Sequence, residues 1–176
     1  EINEGTGRIT EIVKSLKSYS HLDKASLQTV DIHVGLNDTL VMLRSQLKKG
    51  VTVRREYEEN LPAIQAFAGE LNQVWTNILD NAINAMGGQG TIHIKTFSEA
   101  GWVIVQIKDS GPGIPKDIQG KIFDPFFTTK APGEGTGLGL NISHNIIVEK
   151  HKGTMNLYSR PGDTCFEIKL PINNDD

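Results

Sequence analysis

Glycine occupies alternate positions in the most informative stretch of this chain, Gly133-Glu134-Gly135-Thr136-Gly137-Leu138-Gly139-Leu140. Glycine accepts positive φ angles and lets backbone N–H groups approach a ligand, so the stretch is typical of a loop around anionic oxygens. Residues Leu138 to Lys150 have a helical pattern, and the amino end of that helix would direct N–H groups and its positive dipole end at the same anion. The stretch therefore predicts a phosphate site, although a flexible glycine-rich surface loop can have the same short pattern.

An amphipathic helix is predicted further upstream, between Glu70 and Met86, because apolar residues recur there at helical spacing. Asn77 and Asn81 lie one turn apart on one face of this helix. Asparagine is a middling helix former, so two of them on one face indicate a polar partner.

Two segments separate this helix from the glycine-rich stretch. The first is the glycine-containing turn Asp109-Ser110-Gly111-Pro112-Gly113, and the second is Lys121-Ile122-Phe123-Asp124-Pro125-Phe126-Phe127-Thr128-Thr129-Lys130. The second contains three of the six phenylalanines of the chain and ends in two hydroxyls and a lysine. We expect its aromatic side chains to anchor a lid whose polar end faces the ligand.

Together these segments resemble the ATP-binding catalytic domain of sensor histidine kinases, in the superfamily that also contains DNA gyrase B, the ninety-kilodalton heat-shock chaperone and MutL. Four family motifs occur in the family's order: the N box (Asn77 to Asn81), the first glycine box (Asp109 to Gly113), the F box (Phe123 to Phe127) and the second glycine box (Gly135 to Gly139). The resemblance implies an α/β fold of the Bergerat type, a two-layer sandwich in which helices cover one face of a mixed sheet, with an N-terminal helical extension. It also implies ATP and Mg²⁺ as cofactors.

The resemblance further implies roles for individual residues. Asn81 matches the magnesium ligand, and Asn77 matches the first N-box position, near the phosphates or the incoming acceptor, so both are candidate catalytic and nucleotide-binding residues. Asp109 matches the carboxylate that accepts a hydrogen bond from the adenine amino group, and Thr164 matches a hydroxyl that supports this contact. The other implied nucleotide-binding residues are Gly111, Gly113, Lys121, Lys130, Gly135, Thr136, Gly137, Leu138 and Gly139, with the two lysines as alternative partners of the terminal phosphate.

Two departures from the family pattern bear on the reaction. ATP-hydrolysing relatives carry a glutamate that activates water at the position of Asn77, and an asparagine cannot act as a general base at neutral pH. Many relatives carry a lysine at the position of Asn84, so its role would fall to Lys121 or Lys130. The resemblance therefore implies a protein-histidine kinase, while an ATPase and a nucleotide-dependent binding module of the anti-sigma kind are alternatives that Asn77 disfavours.

The acceptor histidine of such a kinase is not recognisable in this sequence, because none of the five histidines precedes an acidic residue. We expect the acceptor helix to lie outside the sequence, so that this chain alone does not autophosphorylate. Residues 9–19 carry an amphipathic stripe, and the resemblance implies that they belong to the second helix of a dimerising hairpin. A helix docked on its own domain is the alternative. The implied partners are ATP, a response-regulator receiver domain and, through the N-terminal helix of the full-length protein, a second copy.

Composition predicts one domain with an extension, because 176 residues with 38% hydrophobic content suffice for one core. We expect residues 1–28 to form part of the helical hairpin and a linker, residues 29–172 the ATP-binding domain, and residues 173–176 an acidic tail. A net charge of −3 without a basic stripe argues against nucleic acid as a partner. The lone Cys165 and the absence of a long apolar run or signal-peptide pattern predict a cytoplasmic location without membrane contact.

Periodicity predicts further elements around these motifs. A helix capped by Asp31 should run through Leu36, Leu40, Leu43 and Leu47 to Gly50. Strands are predicted at Val51 to Tyr57, Thr91 to Phe97, Trp102 to Lys108, Thr154 to Tyr158 and Thr164 to Leu170, the second and third of them as a hairpin closed by Ser98 to Gly101.

Overall fold

The structure, a computed structural model, describes residues 26–173. The amphipathic stripe of residues 9–19, one of the five histidines (His21) and most of the acidic tail lie outside the described residues, so the predictions made for them stay predictions. The helices are α1 (Ile32–Met42), α2 (Arg44–Leu47), α3 (Ala68–Ala85), α4 (Lys116–Gln119) and α5 (Gly139–Asn145), the last continued by a π-helical turn at Ile146–Lys150. The strands are β1 (Gln28–Val30), β2 (Val51–Tyr57), β3 (Ile64–Ala66), β4 (Gly90–Glu99), β5 (Trp102–Asp109), β6 (Thr154–Arg160) and β7 (Asp163–Pro171).

The main sheet has five strands in the order β2-β4-β5-β7-β6. It is mixed, because β2 runs parallel to β4 while the other neighbours are antiparallel. Burial alternates along β4, where Ile92 and Ile94 are buried and His93 and Lys95 are partly exposed. This two-residue period places the apolar side chains on one face, where they join the helices in a single core. The predicted two-layer α/β sandwich is confirmed.

Helix α3 lies at the centre of the helical layer, in contact with both α1 and α5. It buries Leu71, Val74 and Ile78, which recur at helical spacing, against the rest of the core. The N-box asparagines Asn77 and Asn81 are half-buried at the margin of that packed face. The predicted N-box helix is therefore present, and its apolar stripe determines where its polar residues emerge.

Several predicted boundaries differ from those observed. The helix expected from Asp31 to Gly50 begins as predicted, with the Asp31 side chain accepting a hydrogen bond of 2.8 Å from the His33 backbone, but it is interrupted at Leu43. The predicted hairpin strands extend to Glu99 and Asp109, so only Ala100 and Gly101 turn, both with positive φ. These two φ angles suit the right-handed twist of the strands they connect.

Two short strands were not predicted. β1 and β3 pair antiparallel in a separate two-stranded sheet, with Thr29 opposite Gln65. β1 begins at Gln28, the last residue of the predicted linker, and each strand has only three residues. So short a segment has no periodicity to recognise, and it becomes a strand because its partner supplies the hydrogen bonds.

Candidate active site

An open cavity of about 780 Å³ lies between α3, the adjoining ends of β5 and β7, and the segment from Pro112 to Gly139. Its volume falls within the range of cofactor-binding clefts. Ten of the residues predicted for the nucleotide line this one cavity: Asn77, Asn81, Asp109, Gly113, Lys130, Gly135, Thr136, Gly137, Gly139 and Thr164. Gly111, Lys121 and Leu138 were also predicted, but they do not line it.

Asp109 is the last residue of β5 and is 6% exposed. Its Oδ1 accepts a hydrogen bond of 2.8 Å from the Gly111 backbone N–H. Burial raises the pKa of the carboxyl, and the Gly111 hydrogen bond opposes this rise. Within residues 26–173, the other oxygen of the Asp109 carboxyl makes no hydrogen bond, and it is not among the fully buried polar atoms that lack a partner. This oxygen is therefore available to a ligand.

Gly111 contributes to the site by shaping the turn behind Asp109. A Cβ added to Gly111 would lie 2.7 Å from Asp109 Oδ1, closer than a real Cβ approaches another atom. The glycine therefore permits the hydrogen bond that orients the carboxylate. This role explains why Gly111 is part of the first glycine box although it does not line the cavity.

Thr164 lies directly opposite Asp109 in the β5–β7 pairing and is also buried. Its Oγ1 is 2.7 Å from the Oγ of Ser159, and Ser159 Oγ accepts a 2.8 Å hydrogen bond from the Ile114 backbone. Gln119 donates to the Ile114 carbonyl at 2.7 Å. Sequence reasoning missed Ser159 and Gln119, because neither belongs to a motif, and Ser159 lies 45 residues from its partner Ile114.

The N-box side chains emerge from α3 into the cavity. Asn77 Nδ2 donates hydrogen bonds of 3.0 Å to the Gly139 carbonyl and 3.0 Å to Ser143 Oγ, and it thereby joins α3 to α5. Asn81 lines the cavity one turn further along α3. Asp80, which sequence reasoning also missed, lines the cavity and accepts a 3.1 Å hydrogen bond from Asn84.

These oxygen donors fit a magnesium ion that binds together with phosphates. Asn81 and Asp80 supply an amide and a carboxylate oxygen, the hard ligands that Mg²⁺ prefers. In the part of the chain that the structure describes, no group of three or more His, Cys, Asp or Glu side chains could hold a metal. A magnesium ion that binds with a nucleotide keeps several waters and takes further ligands from the phosphates, so few protein ligands are needed.

The F box attaches the lid to the helical layer at its start. The Phe123 ring lies 6.5 Å from the Phe166 ring and 5.0 Å from the His144 ring, and the Phe123 carbonyl accepts a 3.0 Å hydrogen bond from Asn141. Phe127 also packs against the core, whereas Phe126 is 59% exposed. The predicted aromatic anchor thus consists of two of the three phenylalanines.

The second glycine box passes close to the F box. Gly137 has φ +68°, and a Cβ at this position would lie 2.6 Å from the Phe126 carbonyl oxygen. Only glycine combines this φ with so close an approach of two backbones. Lys130 follows the F box and lines the cavity, so it is placed to meet an anion.

The described histidines make contacts outside the cavity. His33 stacks on Tyr57 with ring centroids 4.3 Å apart, and His93 lies 3.2 Å from the Glu56 carboxylate. His144 contacts the Phe123 ring, and His151 is buried, with its Nε2 accepting a hydrogen bond from the Phe67 backbone. Among the residues lining the cavity there is no histidine from the described part of the chain.

Comparison with known proteins agrees with the observed fold. The model of the family described as "Histidine kinase-, DNA gyrase B-, and HSP90-like ATPase" matches residues 68–174. Sensor histidine kinase ZraS of Escherichia coli (strain K12) is 37% identical over 168 residues, covering 94% of this chain and 36% of ZraS. Sensory histidine kinase/phosphatase NtrB of Rhodobacter capsulatus is 33% identical over 188 residues, covering 97% of this chain and 51% of NtrB.

The solved catalytic domain of histidine kinase ThkA is 30% identical, with a TM-score of 0.77 over 84% of this chain and 96% of that domain. The present chain therefore belongs to the histidine kinase-, DNA gyrase B- and HSP90-like ATPase family, with the fold of a histidine kinase catalytic domain. It spans 36% of the length of ZraS and 51% of that of NtrB. No helix within residues 26–173 is long and apolar enough to cross a membrane.

Proposed function

We propose that this chain is the ATP-binding catalytic domain of a two-component sensor histidine kinase. It binds ATP with Mg²⁺ and transfers the γ-phosphoryl group to a histidine that is not one of the five in this chain, for relay to a response-regulator aspartate. The observation that carries the proposal is the convergence on one cavity of Asp109, the two N-box asparagines and the second glycine box.

The base of ATP binds at Asp109. The free carboxylate oxygen accepts a hydrogen bond from the exocyclic amino group of adenine, and guanine carries a carbonyl at that place, which cannot donate. Thr164 provides a hydroxyl beside this contact, and the side chains of Ile114, Ile118 and Ile122 provide apolar surface for the base.

The phosphates bind between α3 and the second glycine box. Asn81, with Asp80 beside it, holds Mg²⁺, which neutralises phosphate charge when bound. Lys130 is the cation for the terminal phosphate, since it lines the cavity and Lys121 does not. The start of α5 adds backbone N–H groups and its positive dipole end.

The chemistry and hydrogen bonding of the Asn77 amide favour phosphoryl transfer over hydrolysis. Both hydrogens of its Nδ2 are engaged, and its amide has no basic site at neutral pH, so it does not activate water. Hydrolysis is nevertheless the second candidate reaction, because the carboxylates of Asp80 and Glu134 line the cavity.

The relay partner is a response-regulator receiver domain. This part of the proposal is supported by the solved complex of histidine kinase ThkA with response regulator protein TrrA. This chain is 25% identical to the kinase in that complex, with a TM-score of 0.78 over 96% of the chain and 49% of that structure.

The full-length protein dimerises through its N-terminal helix, and this domain acts in the cytoplasm, where ATP is available.

Calorimetry and labelled ATP test the function on the same preparation. We expect ATP and ADP to bind with a magnesium-dependent gain in affinity, while radiolabelled phosphate from ATP does not accumulate on this chain. Acid-labile label in stoichiometric amount on any of its own histidines would contradict the assignment of the acceptor to another helix.

Phosphate release separates the kinase from the ATPase. Wild-type turnover should be very slow, and Asn77→Glu is the change expected to raise it, because general-base catalysis contributes about 10² to 10⁴ in rate. Wild-type turnover near one per second that falls sharply in Asp80→Asn or Asn77→Ala would establish the ATPase instead.

Removal of the Asn81 amide tests the magnesium site. In Asn81→Ala the gain in ATP affinity on adding Mg²⁺ should largely disappear, because the amide oxygen joins the metal to the protein. Affinity without Mg²⁺ should change little, since the contact of Asp109 with adenine is retained. Asn72→Ala is the matched control, because Asn72 lies on the same helix and does not line the cavity. Equal losses in both variants would contradict the role of Asn81.

A further inference from the structure

We propose that Ser143 is a positioning residue for phosphoryl transfer, which holds the amide of Asn77 so that its oxygen faces the cavity and accepts the ring N–H of the incoming histidine. This inference rests on the proposed function. It assigns the orientation of Asn77 to a serine that does not line the cavity.

Three groups form a closed set of hydrogen bonds between α3 and α5. Ser143 is fully buried, and its Oγ donates to the Gly139 carbonyl at 2.8 Å. Asn77 Nδ2 donates to the same carbonyl at 3.0 Å and to Ser143 Oγ at 3.0 Å. Each donor in the set has an acceptor, so the arrangement is self-consistent.

The chemistry of this set determines which end of the amide points where. A carbonyl oxygen can only accept, so the Asn77 atom next to Gly139 must be the nitrogen. If the amide were flipped, its oxygen would face the Gly139 oxygen, and Ser143 would have to serve two acceptors with one hydrogen. The flipped amide is therefore disfavoured by both neighbours.

The orientation leaves Asn77 Oδ1 as the functional end of the side chain. Among residues 26–173 this oxygen makes no hydrogen bond, and it is not one of the fully buried unpaired atoms. Asn77 lines the cavity, so the free acceptor meets whatever occupies it. Its partner must be an N–H or O–H donor.

A neutral imidazole supplies such a donor on one ring nitrogen and a lone pair on the other. With the ring N–H on Asn77 Oδ1, the unprotonated nitrogen is free to attack. A nitrogen–phosphorus bond then forms as the bond from the γ-phosphorus to the oxygen of ADP breaks, and ADP leaves with that electron pair. The ring proton passes to solvent after transfer, so Asn77 selects a tautomer without acting as a base.

A spectroscopic experiment tests the hydrogen-bonded set independently of any activity. In the isotope-labelled chain, the side-chain amide protons of Asn77 are identified by their loss in Asn77→Ala, and their exchange with solvent is measured. In Ser143→Ala we expect exchange to become at least about fivefold faster, because one acceptor is lost. The matched control is Thr76→Val, which removes a hydroxyl next to Asn77 that donates only to the Asn72 carbonyl. Unchanged exchange in Ser143→Ala, or an equal change in Thr76→Val, would overturn the proposal.

Single-turnover phosphorylation of the full-length protein tests the catalytic consequence. At saturating ATP, Ser143→Ala should slow transfer about three- to tenfold without changing the KM for ATP. In the Asn77→Ala background the same substitution should add nothing, because Ser143 acts through Asn77. Equal slowing in both backgrounds would assign Ser143 to the fold alone and overturn its positioning role.

A magnesium-bound water is the other donor that Asn77 Oδ1 could meet, and calorimetry distinguishes it. If the partner is the imidazole, Ser143→Ala binds ATP with Mg²⁺ as wild type does. A loss confined to magnesium-dependent affinity would overturn the imidazole assignment. Wild-type full-length protein that transfers no phosphoryl group would refute the proposed function itself, whatever the exchange of Asn77 shows.

Discussion

At the scale of single residues, the site depends on polar side chains in which one of the two polar atoms already makes hydrogen bonds within the protein. Asp109 gives one oxygen to the Gly111 backbone and keeps the other for a ligand. Asn77 likewise gives its nitrogen to α5 and keeps its oxygen. In each side chain the internal hydrogen bond sets the direction of the free atom, so a ligand meets a group that needs no reorganisation.

Asp109→Asn tests the adenine contact. The asparagine oxygen can replace Oδ1 as the acceptor of the Gly111 N–H, which leaves the amide nitrogen where the carboxylate oxygen was. Two donors would then face each other, and we expect ATP binding to weaken by about 1 to 3 kcal/mol. Calorimetry measures the loss, and Asp117→Asn, at an exposed position of α4, is the matched control. A folded Asp109→Asn protein with wild-type affinity would show that Asp109 only shapes the turn.

At the scale of elements, the open cavity is bordered by a lid segment that is attached at both ends. Phe123 anchors the F box on Phe166 and His144, and Asn77 attaches the start of α5 to α3. Gly137 lets the second glycine box pass against the backbone of Phe126. The contact between these two segments sets the position of the lid over the cavity.

Gly137→Ala tests this contact between segments. Alanine at φ +68° is strained, and its Cβ would also lie 2.6 Å from the Phe126 carbonyl oxygen, so one segment must move. We expect nucleotide affinity to fall by about tenfold or more while the sheet and core remain folded. The matched control is Gly133→Ala, at φ +90° with no atom within 4 Å, which carries the backbone strain alone. Equal losses of affinity in the two variants would contradict a specific role for the approach to Phe126.

At the scale of the whole molecule, His151 connects the far ends of the two helices that form the site. Its Nδ1 lies 2.8 Å from the Ile146 carbonyl, and its Nε2 accepts a 3.1 Å hydrogen bond from Phe67, which precedes α3. Both contacts require the neutral ring with its hydrogen on Nδ1. Burial lowers the pKa of His151, and the charge of Lys150 lowers it further. The hydrogen bond with the Ile146 carbonyl and the charge of Glu70 oppose this shift.

The free energy of unfolding should therefore depend on pH through His151. Because its pKa in the folded chain lies below the usual 6.5, the unfolded chain binds the proton more readily. The neutral ring contributes fully to the free energy of unfolding above pH 6.5, and this contribution declines as the pH falls from 6.5 towards the lowered pKa. Urea unfolding from about pH 7.5 to pH 5 should show a larger loss of unfolding free energy in wild type than in His151→Gln. A slope unchanged in His151→Gln would contradict this role.

The core elements of this fold could be predicted from the sequence because their patterns are local. Alternation along β4 and β5 and helical spacing along α3 are visible within a few residues, and they determine which face each element buries. The order of the four motifs likewise indicated that Asp109, Asn81 and the second glycine box belong to one site. The strands β1 and β3 escaped prediction because three residues carry no period.

Tertiary structure alone decided how the site is held together. Asn77 and Ser143 are 66 residues apart in the chain, and Ser159 lies 45 residues from Ile114. No local pattern reports on such pairs, because each becomes a contact only when α3, α5 and β6 pack into their places around the core. The same packing placed Lys130 at the cavity and Lys121 away from it, although the two lysines were equivalent in sequence. Local sequence patterns specify the elements and the chemical groups of the site, whereas the packing of distant segments specifies which atoms of those groups face the ligand.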